Sequence, residues 1–326
     1  MPKVLHIGPC ETPGGMANVM HILAEHPPEG WEAELLSSHV AGSPWAKWRA
    51  YRRARQSFTQ MLKDPAQRPT VVHLHTAADW SWWRKRRFAQ MAHKAGVPNI
   101  VHIHSGQFDT WLGSKNSQRT QRILRDMNAF NIKFVVLSPD WKNRLTSFLG
   151  EIHSIHNPID PKFKSSNRTR QTNMLLLLGR NDPVKGHGLA QETVAKLRKE
   201  FPNLELTMTG VSSSDKEWVK ALGWVSEEHK LELLSESTAL LVPSQFEGQP
   251  MVVIEALACG LPVIVSRHLS SLPNDVIRAG PSVSNWCEVI RDFLNNPVTI
   301  DFQSNEYEIS VISKQWGECY GDFCSD

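Results

Sequence analysis

The sequence predicts an α/β fold of two domains, each a parallel sheet flanked by helices. Three observations lead there. Short apolar runs recur along the chain and read as strands: Lys3 to Gly8, Val71 to His75, Ile100 to His104, Phe134 to Ser138, Met174 to Leu178, Leu204 to Thr209, Ala239 to Pro243 and Leu261 to Ser266. In one stretch the whole repeat is visible: ALLVP, a Gly-containing loop, the Gly-free and Pro-free run Met251 to Cys259, then LPVIVS, which together read as strand, loop, helix, strand. The 326 residues suffice for two domains, and the halves differ in charge: residues 1–165 carry 22 Lys and Arg against 12 Asp and Glu, residues 166–326 carry 14 against 21.

With 40% hydrophobic and 21% charged residues the composition is that of a globular protein. No apolar run approaches the roughly 20 residues that span a bilayer. The start, MPKVLHIGPC, reads as a strand entering a loop rather than a signal peptide. Cys10, Cys259, Cys287, Cys319 and Cys324 are scattered and odd in number, which points to reduced thiols and a cytoplasmic location. Cys10, in the first loop, reads as a small filler.

After the first strand comes Thr12-Pro13-Gly14-Gly15, then a helix from Met16 to Ala24. Glycines there let the backbone approach a ligand. The G-x-G-x-x-G pattern of dinucleotide binding is absent. Trp45–Leu62 reads as an amphipathic helix, with Trp45, Trp48, Tyr51, Phe58 and Leu62 at helical spacing and Arg49, Arg52, Arg53 and Arg55 between them. Trp80–Phe88 repeats the mixture of Trp with Arg and Lys. Basic faces with aromatic residues suit an anionic membrane surface. A packed helix with a solvated basic side is the alternative for either stretch; two of them in a basic half favour membrane contact. No nucleic-acid-binding motif accompanies them, so nucleic acid is not an expected partner.

Two of the strands end in His-x-His: His73 with His75, and His102 with His104. Alternate residues share a strand face, so each pair offers two imidazoles to a metal. No third ligand joins them at diagnostic spacing, and no metal is assigned.

In the C-terminal half, Met174 to Leu178 is followed by GRNDPVKG, which places Arg180 and Lys185 on one loop at the carboxyl end of a strand. Arg forks onto anion oxygens and Lys supplies a point charge. Glu247, Gly248 and Gln249 likewise lie between a strand end and a helix start near Pro250 and Met251. Ligands of open α/β sheets bind in that crevice, and the free N–H groups of the helix start favour an anion. Glu247 can accept hydrogen bonds from sugar hydroxyls, and Glu255, eight positions on, can grip a diol from the helix.

The stretch from Ser244 to Ser266, with its Pro-Ser, Glu-Gly, Glu-Ala and Cys-Gly-Leu-Pro-Val, resembles the E-x7-E signature of family 4 of the retaining glycosyltransferases, which have the GT-B fold. The Gly-Arg, four residues, Lys-Gly pattern about 60 residues upstream matches the same family. Where the family usually has Phe-Gly after Glu-Gly, this chain has Gln249-Pro250, and where it often has a second Gly two residues after Gly210, this chain has Ser212. The resemblance is close over most of the C-terminal half and looser over the N-terminal half.

The resemblance implies a GT-B architecture of two Rossmann-like domains facing across a cleft: residues 1–165 on the acceptor side, 166–309 holding the nucleotide-sugar, and a terminal helix in 310–326 crossing back, with a linker over roughly 160–172. His156-Asn157-Pro158-Ile159-Asp160 matches the family's turn at the exit of the first domain. It implies that Arg180 and Lys185 stabilise a departing diphosphate, that Glu247 orients the sugar and that Glu255 holds the ribose. Gly248, Gln249, Pro250 and Met251 belong to the donor loop. From the first domain, His104 is expected to contact the sugar, with Gly14 and Gly15 near the phosphates. The implied reaction retains the anomeric configuration and needs no metal or cofactor. The expected donor is a nucleotide-diphosphate sugar, UDP-sugar favoured, and the acceptor a glycan or lipid-linked glycan at the inner face of the cytoplasmic membrane. A GT-B nucleotide-sugar epimerase and a non-catalytic carbohydrate-assembly subunit are the rival readings.

Overall fold

The computed structural model describes residues 1–165 and 169–325. The chain divides into two compact units, Met1–Pro158 with Asn305–Asp326, and Ile159–Ser304. The linker expected over 160–172 includes residues 166–168, which lie outside the described residues, as does the position where a boundary after residue 165 was expected.

The first unit is built from β1 (Lys3–Gly8), α1 (Gly15–Glu25), β2 (Glu32–Ser37), α2 (Pro44–Lys63), β3 (Val71–Thr76), α3 (Trp80–Lys94), β4 (Asn99–Ile103), α4 (Phe108–Leu112), α5 (Gln118–Ala129), β5 (Ile132–Val136), α6 (Pro139–Leu149) and β6 (His153–Ser154). The strands form one sheet in the order β2-β1-β3-β4-β5-β6, and each described pairing is parallel. Parallel neighbours need a crossover, and helices supply it. Serine starts several of them: Ser43, Ser117 and Ser138 accept from the N–H groups of Ala46, Thr120 and Trp141.

Because side chains alternate along a strand, this sheet has two unlike faces. Leu5, Ile7, Val72, Leu74, Val101 and Phe134 join Trp82, Phe88 and Ile123 in an apolar core. The other face carries His6, His73, His75 and His102, all buried. The helix Ile309–Ser325, α11 in chain order, lies over this face, its Trp316 ring 4.3 Å from that of His73 and 5.0 Å from that of His102.

The Trp45–Leu62 segment is helical, and the later members of its aromatic stripe, Tyr51, Phe58 and Leu62, pack on the core, but the two tryptophans at its start do not. α2 buries Ala50, Ala54 and Phe58, while Trp45 and Trp48 are 62% and 45% exposed and stack on each other at 4.8 Å. The small alanines, not the tryptophans, let the helix approach the sheet. Trp80, at the start of α3, is 77% exposed, whereas Trp82 is fully buried.

The second unit contains β7 (Met174–Leu177), α7 (His187–Leu197), β8 (Glu205–Met208), β9 (Val219–Ala221), α8 (Glu227–Glu236), β10 (Ala239–Val242), α9 (Met251–Ala258), β11 (Val263–Ser266), β12 (Ile277–Ala279) and α10 (Val283–Asn295). Its parallel sheet has the order β12-β11-β10-β7-β8-β9. The chain winds outward from β7 in one direction and from β10 in the other. The carboxyl ends of β7 and β10 therefore flank the switch point at which open α/β sheets leave a crevice. Leu175, Leu177, Leu206, Leu241 and Ile264 pack on Val194, Leu197, Trp286 and Ile290 to form the core below it. No helix among the described residues is long and apolar enough to cross a membrane.

Candidate functional site

Two loops meet at the switch point of the second unit. The first leaves β7 at Gly179, makes a tight turn over Pro183–Lys185 and enters α7 through Gly186. Asp182 shapes it: one carboxylate oxygen accepts from the Val184 N–H at 3.0 Å, and the other from Arg180 Nε at 3.2 Å. Gly186 has φ of 73°, and a Cβ there would lie 2.4 Å from the Pro243 carbonyl oxygen. That close approach presses this loop against the second one, which leaves β10 at Pro243, and the Gln245 N–H donates to the Val184 carbonyl at 2.9 Å.

The result is a direct ion pair: Lys185 Nζ donates to Glu247 Oε1 at 2.6 Å. Both side chains are largely buried, whereas the Arg180 side chain is 73% exposed and pairs with Asp182 at 3.1 Å. The second loop is held from behind by Ser271, which donates to the Gly248 carbonyl at 3.0 Å. Gly248, Gln249, Pro250 and Met251 are buried around the start of α9, which carries no side-chain cap. The peptide dipoles of its first turn point their positive end into this region.

Glu255 is 1% exposed on α9. Lys230 on α8 reaches it, with Nζ 3.1 Å from Oε1 and 3.0 Å from Oε2. Only the contact to Oε1 has hydrogen-bond geometry, so Oε2 is buried without a donor. Burial pushes the Glu255 carboxyl above its usual range, and Lys230 pulls it back only in part. Lys230 also pairs with Glu227 at 2.8 Å. Neither Lys230 nor Glu227 stands out in the sequence. The sole signal was their place at the start of a helix after Gly223-Trp224-Val225-Ser226, where Ser226 accepts from the His229 N–H as the cap.

In the first unit, Gly14 and Gly15 open α1 after β1, with Gly14 at φ of 147°. His104 follows β4 directly, its N–H donating to the Thr76 carbonyl at 2.8 Å. It is one of a set of stacked and hydrogen-bonded imidazoles. The absence of a third ring beside each His-x-His pair was a property of the one-dimensional spacing; parallel register places His6 beside His73 and His75 beside His102. His6 Nδ1 and His75 Nε2 lie 3.0 Å apart, His75 Nδ1 and His104 Nε2 3.0 Å, and His73 Nε2 and His102 Nδ1 3.2 Å. Burial holds every one of these rings below the ordinary histidine value, His6 and His104 at about 3, so they are neutral at pH 7.

The same unit buries a lysine. Lys85 Nζ donates to Ser38 Oγ at 2.9 Å, has no carboxylate partner among the described residues, and is pushed down to about 7 by burial and by neighbouring Arg84.

Two parallel sheets, with a charged loop pair at the switch point of one, define an α/β protein of the GT-B class. Among solved structures, sucrose-phosphate synthase from Thermosynechococcus elongatus superposes with a TM-score of 0.75 at 16% identity over 100% of both chains, which shows the shared fold. A family described as glycosyl transferases group 1 matches residues 158–283, and one described as glycosyltransferase family 4 matches residues 13–163. The chain belongs to the family 4 glycosyltransferases of GT-B fold. Glycogen synthase from Mycobacterium tuberculosis is 25% identical over 255 residues, 71% of this chain and 60% of that protein, so the chain spans about three fifths of the length of this relative. A phosphatidyl-myo-inositol mannosyltransferase from Propionibacterium freudenreichii is 29% identical over 182 residues, 50% of this chain and 48% of that protein.

Proposed function

We propose that the protein is a retaining glycosyltransferase that moves a hexosyl group from a nucleotide-diphosphate sugar, UDP-sugar favoured, to a glycan or lipid-linked acceptor in the synthesis of a cell-surface polysaccharide or glycoconjugate. The observation that carries this reading is the Lys185–Glu247 pair at the switch point, with Arg180 on the same loop and buried Glu255 on the following helix. The diphosphate takes Lys185 and Arg180 as counter-charges, and the uncapped start of α9 adds its dipole. The ribose is held at Glu255: a hydroxyl donates to Oε2, the oxygen that Lys230 approaches at 3.0 Å without hydrogen-bond geometry. Glu247, released from Lys185, accepts from hydroxyls of the sugar.

In the transfer, the bond between the anomeric carbon and the β-phosphate oxygen breaks, and the acceptor hydroxyl attacks from the same face. A phosphate oxygen of the leaving group takes the hydroxyl proton. Positive charge fixed in advance at Arg180 and Lys185 stabilises the diphosphate as its negative charge grows, an effect of about 10²–10³-fold for one well-placed group. The scheme asks for no cofactor and no metal at this loop pair.

A lipid-linked acceptor, reached by a protein resting on the inner face of the cytoplasmic membrane, is favoured by the stacked and exposed Trp45 and Trp48, by exposed Trp80, and by Arg52 lying 5.4 Å over the Trp48 ring. The mannosyltransferase relative bears the name of a lipid acceptor.

The test is thermal stabilisation by UDP, GDP, ADP and their sugar conjugates without added metal, followed by assay of sugar transfer. Stabilisation by one nucleotide that is lost in Glu255→Ala and Arg180→Ala supports the reading. No stabilisation by any of them at concentrations far above the expected affinity overturns it. Turnover of the sugar nucleotide to an isomer with no acceptor present would replace it with the epimerase reading.

A further inference from the structure

His75, His102 and His104 converge. Each offers a ring nitrogen, and these atoms all lie within 4.8 Å of one another. His75 and His102 face each other across the parallel β3–β4 ladder, and His104 is two residues further on the same face. Three imidazoles at this separation are a first coordination shell in outline.

The far side of the rings is what distinguishes this cluster from a mere stack. His102 Nδ1 is held by His73 Nε2 at 3.2 Å, and His73 Nδ1 in turn meets the Tyr320 hydroxyl at 2.8 Å. If each ring passes its N–H along this line, His102 donates to His73, His73 donates to Tyr320, and His102 Nε2 is left as a bare lone pair. That atom is fully buried and has no hydrogen-bond partner. His75 is anchored in the same way, its Nε2 lying 3.0 Å from His6 Nδ1, which turns its Nδ1 toward His104 Nε2. Histidines that bind metals are held by such outer partners, which set tautomer and ring angle. A buried nitrogen lone pair without a donor is free to coordinate a cation.

We propose that His75, His102 and His104 form a binding site for one divalent transition-metal ion of the zinc type, with His6 and His73 as the outer partners orienting two of the ligands. The donor set decides the metal class. Neutral imidazoles without carboxylates suit Zn²⁺, Co²⁺, Ni²⁺ or Cu²⁺ and do not suit Mg²⁺ or Ca²⁺. His104, the one partly exposed ring of the three, marks the side from which the ion enters and where a water completes four-coordination. The neighbouring triad of His6, His73 and His75 is buried throughout, and both nitrogens of His73 and both of His75 already have partners, whereas the buried nitrogen without a partner, His102 Nε2, belongs to the first triad.

The experiment uses the full chain, free of any affinity tag and stripped with a chelator. Co²⁺ and Zn²⁺ are titrated against it by calorimetry and by competition with a coloured chelator. One equivalent per chain is expected, with visible Co²⁺ absorption of a four-coordinate nitrogen site and no uptake of Mg²⁺. His104→Ala and His102→Ala are each expected to weaken binding at least tenfold, His6→Gln about tenfold through the outer shell, and His26→Ala, on the exposed surface, not at all. His104 is partly exposed at a strand end, so its variant stands even if His102→Ala does not fold. Failure of the wild-type chain to take up Co²⁺ stoichiometrically, or undiminished uptake by folded His104→Ala, would overturn the proposal. Nucleotide binding does not enter this readout, so the result is independent of the glycosyltransferase reading.

Discussion

Lys185 Nζ and Glu247 Oε1 lie 2.6 Å apart, although 62 residues separate them in the chain. The contact joins the loop after β7 to the loop after β10, and it occupies the cation proposed to receive the diphosphate. Ligand binding then exchanges one partner of Lys185 for another. In Lys185→Ala, kcat for sugar transfer is expected to fall about 10²–10³-fold with the fold retained. In Glu247→Gln the competing carboxylate is gone. Nucleoside diphosphate should bind roughly fivefold tighter, about 1 kcal/mol, while transfer collapses. Calorimetry beside a transfer assay separates the two, and weaker nucleotide binding in Glu247→Gln would contradict the exchange.

Glu255 and Lys230 make a second, more deeply buried pair. Removing the carboxylate strands an ammonium that keeps Glu227 and the face of the Phe163 ring. Glu255→Ala is expected to lose about 3 kcal/mol of stability in urea and to weaken nucleotide binding more than tenfold. The double variant Glu255→Ala, Lys230→Met should recover the stability and not the binding. Recovery of both would show that Glu255 acts only as a counter-ion.

Lys85 gives a pH dependence whose sign follows from proton counting. The unfolded chain holds the Lys85 proton up to about 10.5, the folded chain only below about 7. Between those values the unfolded state binds more protons, so stability from this group rises with pH. The cost of burying the charge is complete below 7 and vanishes near 10.5. Lys85→Met should therefore stabilise the protein by a few kcal/mol at pH 6 and by almost nothing near pH 10.5. Urea melts across this range check it, and a gain that grows with pH would refute it.

Gly186→Ala tests the approach of the two loops. Its φ of 73° is costly for alanine, and the new methyl would meet the Pro243 carbonyl oxygen. A loss of about 2–4 kcal/mol is expected. Transfer activity should fall as well, because Lys185 directly precedes this residue. Thermal unfolding with steady-state kinetics reads both effects.

The exposed tryptophans predict a lipid effect without a folding effect. Trp45→Ser with Trp48→Ser removes a stacked pair that lies outside the core. Co-sedimentation with vesicles containing anionic lipid should drop several-fold while the melting temperature stays within a few degrees. Equal partition of wild type and variant, or equal partition to neutral vesicles, would remove the membrane from the picture.

Much of this protein was readable from its residues. The strand-loop-helix unit around Glu247 and Glu255 appears where the apolar runs and the Gly-Pro boundaries put it, and Arg180 and Lys185 come from one loop as read. The family resemblance stood on the same residues. For Trp45 and Trp48 the sequence left a packed face and a membrane-facing one open and favoured the second, because helical spacing groups residues on a side without saying which side is packed; both tryptophans are exposed. The packed side carries Ala50, Ala54 and Phe58, with Tyr51 at its margin. Lys230 was invisible for the opposite reason: a lysine on a polar helix carries no sign that a buried carboxylate waits across the gap.

What the sequence by itself determined is local: which segments are strands or helices, which loops carry Gly, and which charged residues stand at strand ends. These follow from alternation, propensity and turn chemistry within a few residues. Only the tertiary structure decided which strand ends become neighbours. The orders β2-β1-β3-β4-β5-β6 and β12-β11-β10-β7-β8-β9 bring His6 beside His73, His75 beside His102, and Lys185 to Glu247. The physical reason is that a parallel crossover spans tens of residues and leaves no periodic trace of where its strand returns, while burial and charge pairing depend wholly on that return.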